Sequence, residues 1–309
     1  MPRSGNRAVL FAYHNVGSRG LAALLSCGVD VRLLVTHLDN PQENIWFSSV
    51  EELAILNGIP VIKPDAPNTP DVIARVAACE PDWLFSFYYR HMLGEQLLQI
   101  PRRGALNLHG SLLPKYRGRV PINWAIVHGE TKTGASLHYM VAKPDAGNLV
   151  DQEAVPILPN DTAHQVFQKV TCAAETVLIR AVPKLLTGAA QDSPLKLEHG
   201  SYFGGRKPED GRIMWQRSAQ EIHNLIRAVA PPYPGAFFEQ DGRRISILGS
   251  YFRNEAAQGP GPRIYWLDSV CWADCADGKK LRITRLDVDG KTIDEITFRT
   301  WFGTQLTIS

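Results

Sequence analysis

Cysteine is scarce in this chain of 309 residues: five in all, an odd number, scattered at Cys27, Cys79, Cys172, Cys271 and Cys275. That argues against a disulfide framework. Only Cys271 and Cys275 are close, and with no second pair and no histidine near them they read as small strand or turn residues rather than zinc ligands. Long apolar runs are missing too. No uncharged stretch reaches the roughly 18 residues that a membrane span requires, and Met1-Pro2-Arg3-Ser4-Gly5-Asn6-Arg7 leads straight into a strand-like segment without a signal-peptide core. Neither sign of charge dominates, since 33 Lys plus Arg face 31 Asp plus Glu for a formal net charge of +2. A dedicated nucleic-acid binder would show a global basic field, so only a local patch stays open. The sequence also lacks a G-x-G-x-x-G fingerprint, a G-x-S-x-G elbow around Ser111 and any H-E-x-x-H spacing, the motifs of NAD binding, serine hydrolysis and zinc hydrolysis. With 44% hydrophobic and 21% charged residues, the composition is that of a soluble globular protein. The expectation is a cytoplasmic protein with no membrane insertion and no metal.

What is present is a regular alternation. Ala8 to Tyr13, Val31 to Thr36, Val61-Ile62, Trp83 to Ser86 and Ala105 to Asn107 are short apolar runs. Helical repeats stand between them, among them Leu21-Leu24-Leu25, Val50-Leu53-Ala54-Leu56 and a helix from about Pro70 to Ala78. Strands apolar throughout and separated by helices predict a doubly wound parallel sheet covered on both faces, an α/β fold. Gly17-Ser18-Arg19-Gly20, after the first strand, is placed to offer backbone amides to a phosphate at a helix N-terminus. A long helix from Asp161 to about Leu186, opened by Thr162 and Gln165 at capping-box spacing, completes this domain. Beyond an irregular linker through Gly204-Gly205, a second capping box from Ser218 to Glu221 opens a short helix. Ile245 to Ile247, Arg263 to Trp266, Leu281 to Thr284 and Ile296 to Phe298 then alternate as strands of a small antiparallel barrel or sandwich. The expected domains are 1–203 and 204–309.

In open α/β sheets ligands bind beyond the carboxyl ends of the strands. There lies Asn107-Leu108-His109-Gly110-Ser111-Leu112-Leu113-Pro114-Lys115-Tyr116-Arg117-Gly118-Arg119. Asn107 and His109, two apart on an extended backbone, project to one side, and Gly110 lets the chain turn away. A neutral imidazole exchanges a proton near neutral pH and an amide donates to a developing oxyanion, a pair suited to acyl transfer. The same two residues also read as a turn former and a satisfied loop histidine. Asp145, at the apex of the turn from Met140 to Gly147, would orient the ring and raise its pKa if brought near His109. Alone, it reads as a turn residue.

Taken together, Asn107 to Gly118 and Asp145-Ala146-Gly147, with Gly129-Glu130-Thr131 and Thr133-Gly134 between them, resemble the signature of the N10-formyltetrahydrofolate-dependent formyltransferases. Phe11 to His14, Thr36 to Pro41, Phe85 to His91, Tyr116 to Trp124, Phe203 to Asp210 and Ile226 to Pro231 look like one branch of that family. This branch comprises the UDP-4-amino-4-deoxy-L-arabinose formyltransferases of bacterial lipid A modification and polymyxin resistance. The resemblance implies a Rossmann-like catalytic domain followed by an OB-like β-barrel domain, N10-formyltetrahydrofolate as formyl donor and a nucleotide-linked amino sugar as acceptor. It gives Asn107 the tetrahedral intermediate to stabilise, His109 the proton to handle and Asp145 the task of holding and polarising His109. It places the folate against His91, Met92, Leu93, Arg119, Val141, Ala142, Lys143, Pro144 and Asp145. The best-known members carry a second, decarboxylating dehydrogenase domain. This chain reaches Ser309 without a second nucleotide-binding pattern, as a stand-alone formyltransferase or as the first half of a longer protein. The pattern leaves a homo-oligomer open.

Two other acceptors belong to the same chemistry: an amino sugar on another nucleotide, such as a dTDP-linked one, and methionyl-tRNA. A tRNA would demand a basic strip. The loop Asp39-Asn40-Pro41-Gln42-Glu43-Asn44 is acidic to neutral and the charges of the last domain are mixed, so no nucleic-acid partner is expected.

Overall fold

Because the strands of the first half are apolar on both faces, they need cover on both sides, and one seven-stranded sheet supplies the frame for it. The computed structural model describes residues 5–41 and 43–308; Met1 to Ser4 of the amino-terminal run, Gln42 of the acidic loop and Ser309 lie outside the described residues. The chain divides into two units. Met1–Pro121, Thr133–Val155 and Gln168–Gly204 form the first, and Ile122–Lys132, Pro156–Phe167 and Gly205–Ser309 form the second. Among the described residues no helix is long and apolar enough to cross a membrane.

Elements β1 (Arg7–Ala12), α1 (His14–Ser26), β2 (Asp30–Val35), α2 (Val50–Leu56), β3 (Val61–Ile62), α3 (Pro70–Ala78), β4 (Trp83–Phe87), α4 (Glu95–Leu98) and β5 (Gly104–His109) alternate as the sequence predicts. Next come β6 (Arg117–Gly118), α5 (Pro121–Val127), β7 (Lys132–Tyr139), β8 (Leu149–Pro156), α6 (Ala163–Thr187) and β9 (Tyr202–Phe203). The strand order is β3-β2-β1-β4-β5-β7-β8. Strands β1 to β5 are parallel, but β7 runs antiparallel to β5, so the expected parallel sheet is a mixed one with Rossmann-like connectivity. The order reverses at β1 and β4, the kind of crevice where such sheets bind ligands.

Alternation puts Val9, Phe11, Leu33, Val35 and Leu84 into one apolar cluster with Val72 and Val76 of α3 and Leu97 of α4. Their neighbours Leu10, Leu34, Phe85 and Leu106 are fully buried as well. Each such side chain contributes about 1.5–3 kcal/mol. Gly17 to Gly20 lie inside α1, where the Gly17 N–H already donates to the Tyr13 carbonyl at 3.1 Å. These residues are therefore not a phosphate loop. A Cβ on Gly20 would collide with the Phe87 ring, so this glycine serves the close approach of α1 to β4. The capping box at the start of α6 is made: Thr162 N–H donates to Gln165 Oε1 at 2.8 Å and Gln165 N–H to Thr162 Oγ1 at 3.3 Å.

In the second unit the Ser218–Glu221 capping box opens α7 (Ala219–Val229). Strands β10 (Ala236–Gln240), β11 (Arg243–Tyr251), β12 (Arg263–Leu267), β13 (Val270–Asp274), β14 (Lys280–Val288) and β15 (Lys291–Thr292), helix α8 (Glu295–Phe302) and β16 (Gln305–Thr307) follow. The order β10-β11-β14-β13-β12-β16 makes an antiparallel sheet. Its two end strands are linked by the Gln240 amide, which donates to the Thr307 carbonyl at 2.9 Å. Ile296 to Phe298, expected as a strand, form the first turn of α8, because the Asp294 carboxylate accepts the Thr297 N–H at 2.8 Å and starts a helix. The alternation misled because Phe298 alone of the three is buried. Cys271 and Cys275 are buried, and burial pushes both thiols up to about 12.

One buried histidine makes this unit acid-sensitive. His223 is enclosed, its Nε2 3.1 Å from the Pro159 carbonyl and its Nδ1 2.8 Å from the Ser250 hydroxyl. Burial, aided by the charge of Arg227, pushes its pKa down to about 4. The unfolded chain, titrating near 6.5, therefore binds the proton more readily than the fold. The contribution is full above about pH 6.5 and is lost as pH falls towards 4, about 3 kcal/mol in all. The urea midpoint is expected to drop across that window, and the drop to be shallower in His223→Gln; equal slopes in the two proteins would contradict the assignment.

Candidate active site

Strand β5 ends at His109, so Asn107 and His109 share one face at the carboxyl edge of the sheet. Because β7 is reversed, its register sets His138 directly opposite Asn107 and Ser136 opposite His109. After Gly110 the chain turns out and returns as β6, which pairs with β9 at Arg117↔Tyr202 and Gly118↔Phe203. The Ser201 hydroxyl accepts the Tyr116 N–H at 2.9 Å, which helps to clamp the returning loop.

This clamp sets the chemistry of His109. Its Nε2 lies 2.7 Å from the Tyr116 carbonyl, an acceptor only, so Nε2 carries the hydrogen and the lone pair of the neutral ring is on Nδ1. Nδ1 faces Asp145 Oδ1 at 3.6 Å. The same logic applies to His138, whose Nδ1 donates to the Tyr139 carbonyl at 2.8 Å. Its Nε2 then accepts from Asn107 Nδ2 at 3.1 Å, and the second Nδ2 hydrogen goes to Asp145 Oδ1 at 3.3 Å. Asp145, in the left-handed region at φ 48, turns its other oxygen to the Gly118 N–H at 2.8 Å. Gly118 sits at φ 96, where a Cβ would collide with the Phe203 carbonyl, so glycine is required to present that N–H.

The three residues singled out in the sequence thus converge, and His138, the Tyr116 carbonyl and the Gly118 amide join them. Sequence spacing had no means of finding His138, because its place depends on the β5–β7 register. Asp145 raises the His109 pKa as expected, but the net direction is down, because burial of the ring outweighs the charge of Asp145 and the Tyr116 carbonyl. For Asp145, burial pushes upward but is overcome by His109 and the Gly118 amide, which hold its carboxyl well below the ordinary range. At neutral pH the site therefore holds an ionised carboxylate beside a neutral imidazole with a free lone pair.

Of the segments expected to contact folate, His91, Met92 and Leu93 follow β4, while Val141 to Asp145 follow β7 and lead Asp145 back to Asn107. Leu93 lies in the apolar cluster against which Met140 packs, while Met92 and Val141 stand 60% and 46% exposed. Arg119 is exposed, with its N–H on the Phe203 carbonyl at 2.9 Å, and Lys143 is exposed in the Asp145 loop.

Residues 23–182 match the family model described as formyl transferase, and residues 206–302 match that of the formyl transferase C-terminal domain. Among solved structures, the sugar 3N-formyl transferase WlaRD, crystallised with dTDP and 5-N-formyl-THF, is 20% identical with a TM-score of 0.71 over 90% of this chain and 96% of that one. The N-formyltransferase from Helicobacter canadensis, in complex with folinic acid and dTDP-3-aminofucose, is 20% identical with a TM-score of 0.70, covering 90% and 98%. A 4-N formyltransferase from Francisella tularensis is 18% identical with a TM-score of 0.62, covering 77% and 94%. At these identities the structures share the fold. The first family model spans more than half of the residues and the second follows it in order, so the chain belongs to the formyl transferase family and is a formyltransferase.

Proposed function

We propose that this formyltransferase moves the formyl group of N10-formyltetrahydrofolate to the 4-amino group of UDP-4-amino-4-deoxy-L-arabinose, for lipid A modification. The observation that carries the reaction is the meeting of Asn107, His109 and Asp145 at the end of β5. The dTDP and dTDP-3-aminofucose, with the folates, in the related crystal structures support the classes of acceptor and donor. The segments Phe85 to His91 and Tyr116 to Trp124 support the UDP sugar.

The bound donor supplies an electrophilic formyl carbon, and the protein supplies the rest. His91 to Leu93, Arg119 and Val141 to Asp145 hold the donor. His109 Nδ1 takes the proton from the attacking amine while Nε2 stays tied to the Tyr116 carbonyl, so the ring cannot rotate away. Asp145 stabilises the resulting imidazolium, from which His109 returns the proton to N10 as the bond between the formyl carbon and N10 breaks and tetrahydrofolate leaves. Both Nδ2 hydrogens of Asn107 have acceptors at rest, His138 and Asp145. When His109 gains a proton at Nδ1 it competes for Asp145 Oδ1, and one Asn107 hydrogen is released to the oxygen where negative charge gathers. Proton transfer and oxyanion stabilisation are coupled through one carboxylate oxygen.

Incubating the protein and N10-formyltetrahydrofolate with UDP-4-amino-4-deoxy-L-arabinose, a dTDP-linked 4-amino sugar and charged initiator tRNA separates the readings. Turnover is expected with the UDP sugar. Preference for the dTDP sugar would move the nucleotide assignment, and turnover with tRNA alone would overturn the sugar acceptor.

A further inference from the structure

The second unit carries aromatic rings and cations in a single row on its sheet. Tyr251 of β11 pairs with Arg282 of β14, and Arg282 pairs with Trp272 of β13. Directly opposed residues project to the same face, so the three side chains cross three strands side by side, a span of about 10 Å. The intervening Leu281 and Ile283 are buried on the other face. Lys280, two residues before Arg282, holds its ammonium 4.2 Å from the centroid of the Trp272 ring, and Arg253 lies 5.6 Å from that of Tyr251. With Thr284 they line a cavity of about 170 Å³. Its sole acidic lining residue, Glu255, is bonded to Lys280 at 3.1 Å. Three cations against one carboxylate leave the face positive, and Tyr251, 44% exposed, offers an open ring.

We infer that this face binds a nucleoside diphosphate, with the base stacked on Tyr251 and the diphosphate held by Arg282 and Lys280. Stacking on an exposed ring is tolerant of base identity, and charge-assisted hydrogen bonds from guanidinium and ammonium groups recognise phosphate oxygens. Two rings and three cations on one face suit one nucleotide. A nucleic-acid strand would need a basic track continuing beyond Arg253, Lys280 and Arg282. All the residues involved lie in the second unit, and none belongs to the formyl-transfer machinery.

Calorimetric titration of the whole chain with UDP tests this, with formyl transfer and the urea midpoint followed in parallel. A binding event is expected that weakens at least tenfold in both Tyr251→Ala and Arg282→Ala, in line with the worth of a stacked base or a charged contact, while activity and stability stay at the wild-type level. UDP binding unchanged in both variants would report only the formyl-transfer site and overturn the inference. Inorganic pyrophosphate binding as tightly as UDP, insensitive to Tyr251→Ala, would reduce the face to an anion site. A pentauridylate binding far more tightly than UDP would make it a strand-binding surface. Either result overturns the nucleotide assignment. Because the variants lie outside the formyl-transfer site, failure here leaves the acceptor reading standing, and failure there leaves this one standing.

Discussion

Replacing His109 with alanine is expected to lower kcat for formyl transfer by ~10²–10⁴-fold, the usual worth of a positioned general base. The expectation is this large because neither His138 nor Asp145 can substitute. The His138 Nε2 lone pair already receives Asn107, and Asp145 is held so firmly ionised that it is a weak base. The fold should survive. The variant removes the hydrogen bond from His109 to the Tyr116 carbonyl, worth about 0.5–1.5 kcal/mol, which a urea midpoint will register. The pH profile separates chemistry from damage. Burial holds the wild-type His109 pKa below its ordinary 6.5, so the acid limb of kcat/KM should lie below pH 6.5 and disappear in the variant. An acid limb that persists with the same apparent pKa would take His109 out of the role.

Asp145→Asn should cost less but in a more diagnostic way. In a triad where the carboxylate alone selects the tautomer, its loss is severe. Here the Tyr116 carbonyl selects the tautomer, and Asp145 supplies the charge that stabilises the imidazolium. An adjacent opposite charge shifts a titrating group by about 1–3 units, so kcat should fall by ~10–10³-fold. The sign is fixed by the same interaction. Asp145 raises the His109 pKa against the larger lowering by burial, so its removal should move the acid limb further down in pH. The asparagine oxygen still accepts the Gly118 N–H, which preserves the loop. An upward move of the limb, or none, would show that Asp145 acts on something other than His109.

Much of this architecture was legible because it is local. The apolar runs of β1, β2, β4 and β5 need no partner to be recognised, and the two capping boxes at Thr162 and Ser218 are complete within four residues each. Local signals also misled where a stronger local interaction was overlooked. Ile296 to Phe298 alternate like a strand, but the Asp294 cap turns them into a helix. Gly17 to Gly20 resemble a phosphate loop, but the helix begins earlier, at His14, and consumes the amides.

That Asn107 and His109 share a face is written in their spacing, since two residues of extended chain leave no alternative, and the family spacing marks Asp145 as the carboxylate. What these residues do to one another depends on long-range pairing. Reversal of β7 brought His138 across from Asn107, and the β6–β9 pairing presented the Tyr116 carbonyl to His109 and the Gly118 amide to Asp145. Those contacts join positions far apart in the chain, and burial of the assembled site lowers the His109 pKa by more than Asp145 raises it. Desolvation depends on everything packed around a group, and no spacing along the chain records it.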